Sequence, residues 1–310
     1  TGKAGEPISM IKILCTKRWR VRRAFAIPVA LGLMVLVASC VSNQPAQEER
    51  VNVQVEATKK IYPTSPSQTQ DPASYVRIES KADIETNIDS LLQSLTIREK
   101  IAQLFIVRAY GSFRNDYDPA ILELKQLVSE YRIGGVLFFQ GDVLGQAHLT
   151  NTLQARSAIP LWIAQDMEYG AAMRVRGTTR FTPAMGIAAT GDPANAWLKG
   201  KITAREAKQI GVHQILAPVV DINNNPDNPV INVRSFGDSP EMVAEFGAAF
   251  IEGVQSEGLM ATAKHFPGHG DTHVDSHLEL PVIRHSLDRL LSFELEPFRE
   301  AVERGVQSVM

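Results

Sequence analysis

Short apolar runs alternate with amphipathic helical segments from residue 97 to the end of the chain, and this alternation restricts the fold more than any other feature. The runs at 104–107, 134–139, 160–164, 212–217, 258–263 and 306–310 have strand length rather than helix length. Helical spacing predicts helices over 84–95, 97–103, 119–131, 144–157, within 192–211, over 241–257 and over 287–304. Thr96 followed by Glu99 predicts a capping box at the start of the second. Apolar strands separated by helices call for a parallel sheet covered on both faces. About six βα units are visible, and none holds the glycine-rich turn of a dinucleotide site. The expected class is α/β, a TIM-like (β/α)8 barrel that is incomplete in this chain.

Polar clusters follow three of the predicted strands. Gln165-Asp-Met-Glu-Tyr-Gly170 comes after the strand ending at Ala164, Asp221-Ile-Asn-Asn-Asn-Pro-Asp-Asn-Pro229 after the next, and Lys264 with His265 after Gly258-Leu-Met-Ala-Thr-Ala263. Parallel strands place all their C-terminal ends on one face, where a barrel builds its active site.

The segment 264–277 reads KHFPGHGDTHVDSH and carries one lysine, four histidines and two aspartates. Asp275 and His277 lie two residues apart, so in an extended loop both side chains can point the same way. A carboxylate on one ring nitrogen fixes the tautomer and leaves the other nitrogen to exchange a proton. Spacing alone leaves open a solvent-exposed histidine beside a chance aspartate. His265, His269, His273 and His277 recur every fourth residue, which invites a metal reading, but Pro267, Gly268 and Gly270 oppose the helix that would converge them. No metal and no cofactor is expected.

Lys264 and Arg234 are costly to bury without an anionic or hydroxyl-rich partner. Arg174 fits the same role or that of a surface arginine. Asp166 either accepts hydrogen bonds from two sugar hydroxyls or caps a helix.

The N-terminal part is of another kind. Lys17, Arg18, Arg20, Arg22 and Arg23 precede an apolar run at 24–37 that is short for a membrane span. Val37-Ala-Ser-Cys40 then resembles the lipobox of bacterial lipoproteins, in which cleavage precedes a lipidated cysteine; an ordinary signal peptide or a poor anchor is the alternative. The expected organisation is a signal peptide over 1–40 ending at the lipidated Cys40, a disordered polar tether over 41–82 and a barrel domain over 83–310. Val41 and Ser42 carry no aspartate after the cysteine, which favours the outer membrane of a cell envelope. The only cysteines are Cys15 and Cys40, so the body of the chain has no disulfide framework. A formal charge of −2 gives no electrostatic case for nucleic acid.

KHFPGHGDTHVDSH resembles the signature of the N-terminal catalytic domain of glycoside hydrolase family 3, and within it the bacterial β-N-acetylhexosaminidase branch. Leu95-Thr-Ile-Arg-Glu-Lys-Ile-Ala-Gln-Leu104, Ile163-Ala-Gln-Asp-Met-Glu-Tyr-Gly170, Phe181-Thr-Pro-Ala-Met185, Ala217-Pro-Val-Val-Asp-Ile222 and Val233-Arg-Ser-Phe-Gly237 agree in order and spacing. The resemblance implies a TIM-like barrel and retaining hydrolysis of terminal β-linked N-acetylglucosaminides through a covalent glycosyl-enzyme. It implies His277 as acid/base, Asp275 as its partner, and Asp166, Arg174, Arg234, Lys264 and His265 as sugar-binding residues. It also implies a nucleophilic aspartate on the loop after the next strand, past Met310, so residues 1–310 alone are expected to be inactive. The family's Asp-x-Glu-Gly-Gly is here Asp166-Met-Glu-Tyr-Gly170. A β-glucosidase or xylosidase, a non-catalytic carbohydrate-binding lipoprotein and a metal-dependent hydrolase are the other readings.

Overall fold

The computed structural model describes residues 81–275 and 278–310. The signal segment, Cys40, nearly all of the expected tether and the pair Ser276–His277 lie outside the described residues. Tyr75–Met310 forms one compact unit.

In chain order the elements are α1 (Lys81–Ser94), α2 (Ile97–Ala102), β1 (Ile106–Gly111), α3 (Pro119–Ser129), β2 (Gly135–Asp142), α4 (Val143–Gln154) and β3 (Trp162–Gln165). They continue with β4 (Val175–Arg176), α5 (Ala184–Ala188), α6 (Ala194–Gln209), β5 (Gln214–Ile215), α7 (Pro240–Gln255), β6 (Met260–Ala263), α8 (Leu287–Ser292), α9 (Glu296–Glu303) and β7 (Ser308–Val309). The sheet has seven strands in the order β1-β2-β3-β5-β6-β7, with β4 paired to the end of β2. Every pairing is parallel. The order leaves β1 and β7 as open edges, where Ile106 and Val309 are exposed. This is an unclosed barrel, as the alternation predicts.

Local chemistry accounts for the helix starts. The Thr96 hydroxyl accepts from the Glu99 amide, while the Glu99 side chain accepts from the Thr96 amide, completing the capping box. Pro119 and Pro240 open α3 and α7, where a missing N–H costs nothing, and Asp118 and Ser239 cap them. The core lies between sheet and helices. Val136, Phe138, Ile163, Ile215 and Ala261 on the strands meet Val128 of α3 and Phe250, Ile251 and Val254 of α7, all essentially without exposure.

Three parts of the chain differ from the expectation. The first strand starts at Ile106 rather than residue 104, because Leu104 and Phe105 finish a turn from α2 whose amides donate to Ile101 and Ala102. The single helix expected over 287–304 is two, since Phe293 leaves the helical region (φ −140°, ψ −75°) and Pro297 opens a new first turn. β4 and α5, within the long connection from β3 to α6, carry no periodic signal long enough to read.

Helices α6 and α7 approach closely at Gly253, where an added Cβ would lie 2.1 Å from the Trp197 carbonyl oxygen. Gly253→Ala forces backbone apart rather than a side chain, so a loss of about 2–4 kcal/mol is expected. The urea-unfolding midpoint measures it, and an unchanged midpoint contradicts the packing described.

Candidate active site

Three parallel strands deliver the polar residues to one end of the sheet. β3 runs into Asp166, β6 into Lys264, and the chain beyond β5 stays paired with β6 as far as Val220, whose amide donates to the Lys264 carbonyl at 2.8 Å. Asp221 follows directly. Sheet register thus places Asp166, Asp221 and Lys264, while Arg174 and Arg234 reach them from short 3-10 turns in the connecting loops.

Lys264 is the centre. Its side chain is 3% exposed, and its ammonium lies 2.9 Å from Asp166 Oδ1 and 2.9 Å from Glu168 Oε1. The other Asp166 oxygen accepts from Arg174 Nη2 at 3.0 Å. Glu168 also receives a two-pronged bond from Arg234, Nε at 2.9 Å and Nη2 at 2.8 Å. The Arg234 fork matches the carboxylate plane, so geometry as well as charge holds it. Arg174 lies over the Phe139 ring at 5.0 Å and is mostly buried, which removes it from the surface-arginine reading. Asp166 likewise spends its oxygens on two cations and not on a helix N-terminus.

Asp221 organises a second tier. It is fully buried and accepts from the His265 amide, from the His269 amide at 2.6 Å, and from His265 Nδ1 at 2.5 Å. His265 Nε2 faces Arg234 Nη2 at 3.4 Å. A guanidinium has no acceptor, so this contact makes Nε2 the acceptor and leaves the Nδ1 proton on Asp221. His269 is nearly buried, its Nδ1 2.5 Å from the Thr272 hydroxyl. Burial, reinforced by His265 and Arg234, holds its imidazole below the ordinary value. The four described histidines of this region thus take separate partners, with His273 against Asn225 and His285 against Asp271.

The loops are locked to each other. The Asn228 amide donates to the carbonyls of His269 and Gly270, at 2.8 and 3.0 Å. A Cβ at Gly270 would stand 1.7 Å from the Ile222 carbonyl oxygen, so only glycine permits this approach. The peptides Ala217–Pro218, Lys264–His265 and Phe266–Pro267 are cis.

The structure brings together Asp166, Arg174, Arg234, Lys264 and His265, five of the residues singled out from sequence. Asp275 lies farther along the loop, where its carbonyl accepts from the amides of Leu278 and Glu279. His277 is outside the described residues. Sequence reasoning missed Glu168 and Asp221 as members of the site. Both stand in the strand-end clusters it noted, and the signal was a carboxylate at the end of a buried strand near buried cations. It also missed Lys199 on α6, which is buried, donates to the Thr182 carbonyl at 3.0 Å, and is pushed down to about 8 by burial.

Burial on its own would raise the Glu168 carboxyl, but the Arg234 hydrogen bond and the charges of Lys264 and Arg234 outweigh it and bring it down to about 2 from 4.5. Its folded value lies below its unfolded one. The stability it contributes is therefore complete above about pH 4.5 and is lost as pH falls towards 2. Glu168→Gln is expected to flatten that acid limb and to cost about 3 kcal/mol at pH 7. Urea unfolding at a series of pH values checks both, and a variant with the original slope contradicts the ion-pair account.

Comparison with known proteins places the fold in a family. Residues 96–310 match the model of the glycosyl hydrolase family 3 N-terminal domain. The chain is 40% identical over 194 residues to a β-hexosaminidase A of Pseudoalteromonas piscicida, covering 58% of this chain and 32% of that one. It is 35% identical over 212 residues to a β-N-acetylglucosaminidase/β-glucosidase of Cellulomonas fimi, covering 68% and 36%. The chain thus spans about a third of the length of these two relatives. Among solved structures, a family 3 β-N-acetylglucosaminidase of Paenibacillus sp. str. FPU-7 superposes with a TM-score of 0.63 at 39% identity, covering 70% of this chain and 42% of that one. Residues 96–310, which hold the parallel, unclosed barrel, are the N-terminal domain of glycosyl hydrolase family 3, and the chain belongs to that family.

Proposed function

We propose that this chain belongs to a lipid-anchored, exo-acting enzyme of a bacterial cell envelope that hydrolyses terminal β-linked N-acetylglucosamine with retention. The observation that carries the reading is the strand-end cluster of Asp166, Lys264, Arg234 and His265, continuous in sequence with Asp275-Ser-His277. The names of the Pseudoalteromonas and Paenibacillus relatives support the substrate class.

The cluster supplies what a pyranose needs at its hydroxyls. Asp166 is a carboxylate acceptor, Lys264 and Arg234 are donors already held in place by Glu168, and Asp221 fixes the His265 ring beside Arg234. Donors and acceptors fixed before the sugar arrives lose little entropy on binding it. In the proposed chemistry His277 protonates the leaving oxygen as the glycosidic bond breaks, and a carboxylate attacks the anomeric carbon to form the glycosyl-enzyme. His277, oriented by Asp275, then takes a proton from the water that releases the sugar. The attacking carboxylate is expected on the strand-end loop past Met310.

In the full-length protein, aryl β-N-acetylglucosaminide is expected to be cleaved in preference to aryl β-glucoside. His277→Ala should lower kcat by at least about a hundredfold, whereas Asp166→Asn should act mainly by raising KM. Unchanged rates in the histidine variant remove it from the mechanism. A β-glucosidase is the second reading, favoured by the double name of the Cellulomonas relative, and a preference for the glucoside selects it.

For the anchor, Cys40→Ala is expected to abolish incorporation of labelled fatty acid and to move the protein out of the membrane fraction. Membrane association that survives the substitution contradicts lipidation at Cys40.

A further inference from the structure

The loop after β6 has a closed neck that the mechanism above does not use. Between Asp271 and His285 the described residues form neither helix nor strand. Its two ends are nevertheless joined, because His285 Nε2 lies 2.8 Å from Asp271 Oδ2. The same nitrogen is 3.8 Å from Glu294 Oε1, a carboxylate just past α8 whose side chain is 6% exposed. Arg289 of α8 donates to that Glu294 oxygen, Nε at 3.2 Å and Nη2 at 3.1 Å. The guanidinium also lies over the Phe293 ring at 3.8 Å. The imidazole therefore stands between two carboxylates, one of them anchored from behind by an arginine that is itself stacked.

The entry to the loop is fixed separately. Asn225 Nδ2 reaches the Thr272 carbonyl at 3.4 Å and His273 Nδ1 at 3.3 Å, tying the first residues to the segment that carries Asp221 and Arg234. The exit arm meets the entry arm through the Asp271–His285 pair. A loop of this length with its ends held together samples far fewer arrangements than one with a free exit. The pair is about a third exposed on each side, so its contribution to global stability is small and its main consequence is local order.

We propose that His285 is a positioning residue that closes the neck of segment 272–284, holding Asp271 against the Glu294–Arg289 pair so that the loop presents Asp275 in one place. The catalytic consequence rests on the acid/base role proposed for Asp275 and His277, whereas the neck itself does not.

The test uses the full-length protein and its His285→Ala variant. Amide hydrogen exchange in peptides from 272–284 is expected to accelerate by about tenfold or more while the thermal midpoint moves little. With aryl β-N-acetylglucosaminide, kcat is expected to fall roughly tenfold and KM to stay within about twofold, since binding groups are untouched. The exchanged pair Asp271→His with His285→Asp should recover most of both effects. Unchanged exchange overturns the clamp, whatever the protein hydrolyses. Faster exchange with unchanged kcat, or a rise in KM in place of a fall in kcat, overturns the positioning role. Absence of any glycosidase activity in the parent removes that role with the proposed function, while the exchange result still decides the neck. Asp271→Asn keeps the shape of the pair and gives the same readouts should His285→Ala fail to fold, with unchanged exchange again overturning the clamp.

Discussion

The ammonium of Lys264 is the interaction on which the site depends. A lysine at the end of a buried strand carries a desolvation cost of several kcal/mol unless carboxylates surround it. Asp166 and Glu168 do so from the chain that follows β3, one strand removed from β6, each at 2.9 Å. Two carboxylates around one ammonium carry an excess negative charge, and Arg174 on Asp166 and Arg234 on Glu168 more than offset it. Removing either carboxylate leaves Lys264 without one of its two partners. That coupling makes the cluster rigid, and rigidity is what a site needs to orient a hydroxyl-rich ligand.

Asp221 links this cluster to the loop chemistry. Its carboxylate accepts from two backbone amides and one imidazole, so the turn after Lys264 is wound around a fixed anion. The His265 ring is thereby aimed at Arg234, which in turn holds Glu168. One chain of contacts runs from the fully buried Asp221 through the His265 ring to Arg234 and Glu168, and each link offsets part of the desolvation of the next.

How much of this was legible in sequence depends on the length scale of the signal. The strands and the long helices were, because repeated apolar spacing over many residues outweighs local exceptions, and Thr96 and Glu99 marked a helix start directly. The break at Phe293–Leu295 was not. Apolar spacing continues across it through Leu290, Leu291, Phe293, Leu295 and Phe298, and only Pro297 carries the information that the chain restarts. Lys264, Arg234 and Asp166 were legible because charged residues at the ends of apolar runs have few structural uses. Glu168 and Asp221 were harder, since which carboxylate meets which cation is decided by parallel register between strands far apart in sequence. Lys199 was invisible for a different reason. It lies among polar residues on a helix that reads as solvent-facing, yet the β3–α6 connection, itself without periodicity, folds over it and supplies the Thr182 carbonyl.

The two halves of the site are built on different principles. Asp166 and Lys264 directly follow strands, whose spacing is set by backbone ladders and tolerates little displacement. Asp275 belongs to a stretch without ladder bonds, held at its entry by Asn225 and Asn228 and at its exit by His285. Binding groups gain from being immobile, because every ordered donor lowers the entropy lost when a ligand docks. A proton-transfer group has to serve two successive steps, protonating one oxygen and deprotonating another, and the two oxygens do not occupy identical positions. A loop anchored at both ends and irregular between them meets that demand better than a strand end would. The bonds at its two ends limit how far such a group can travel.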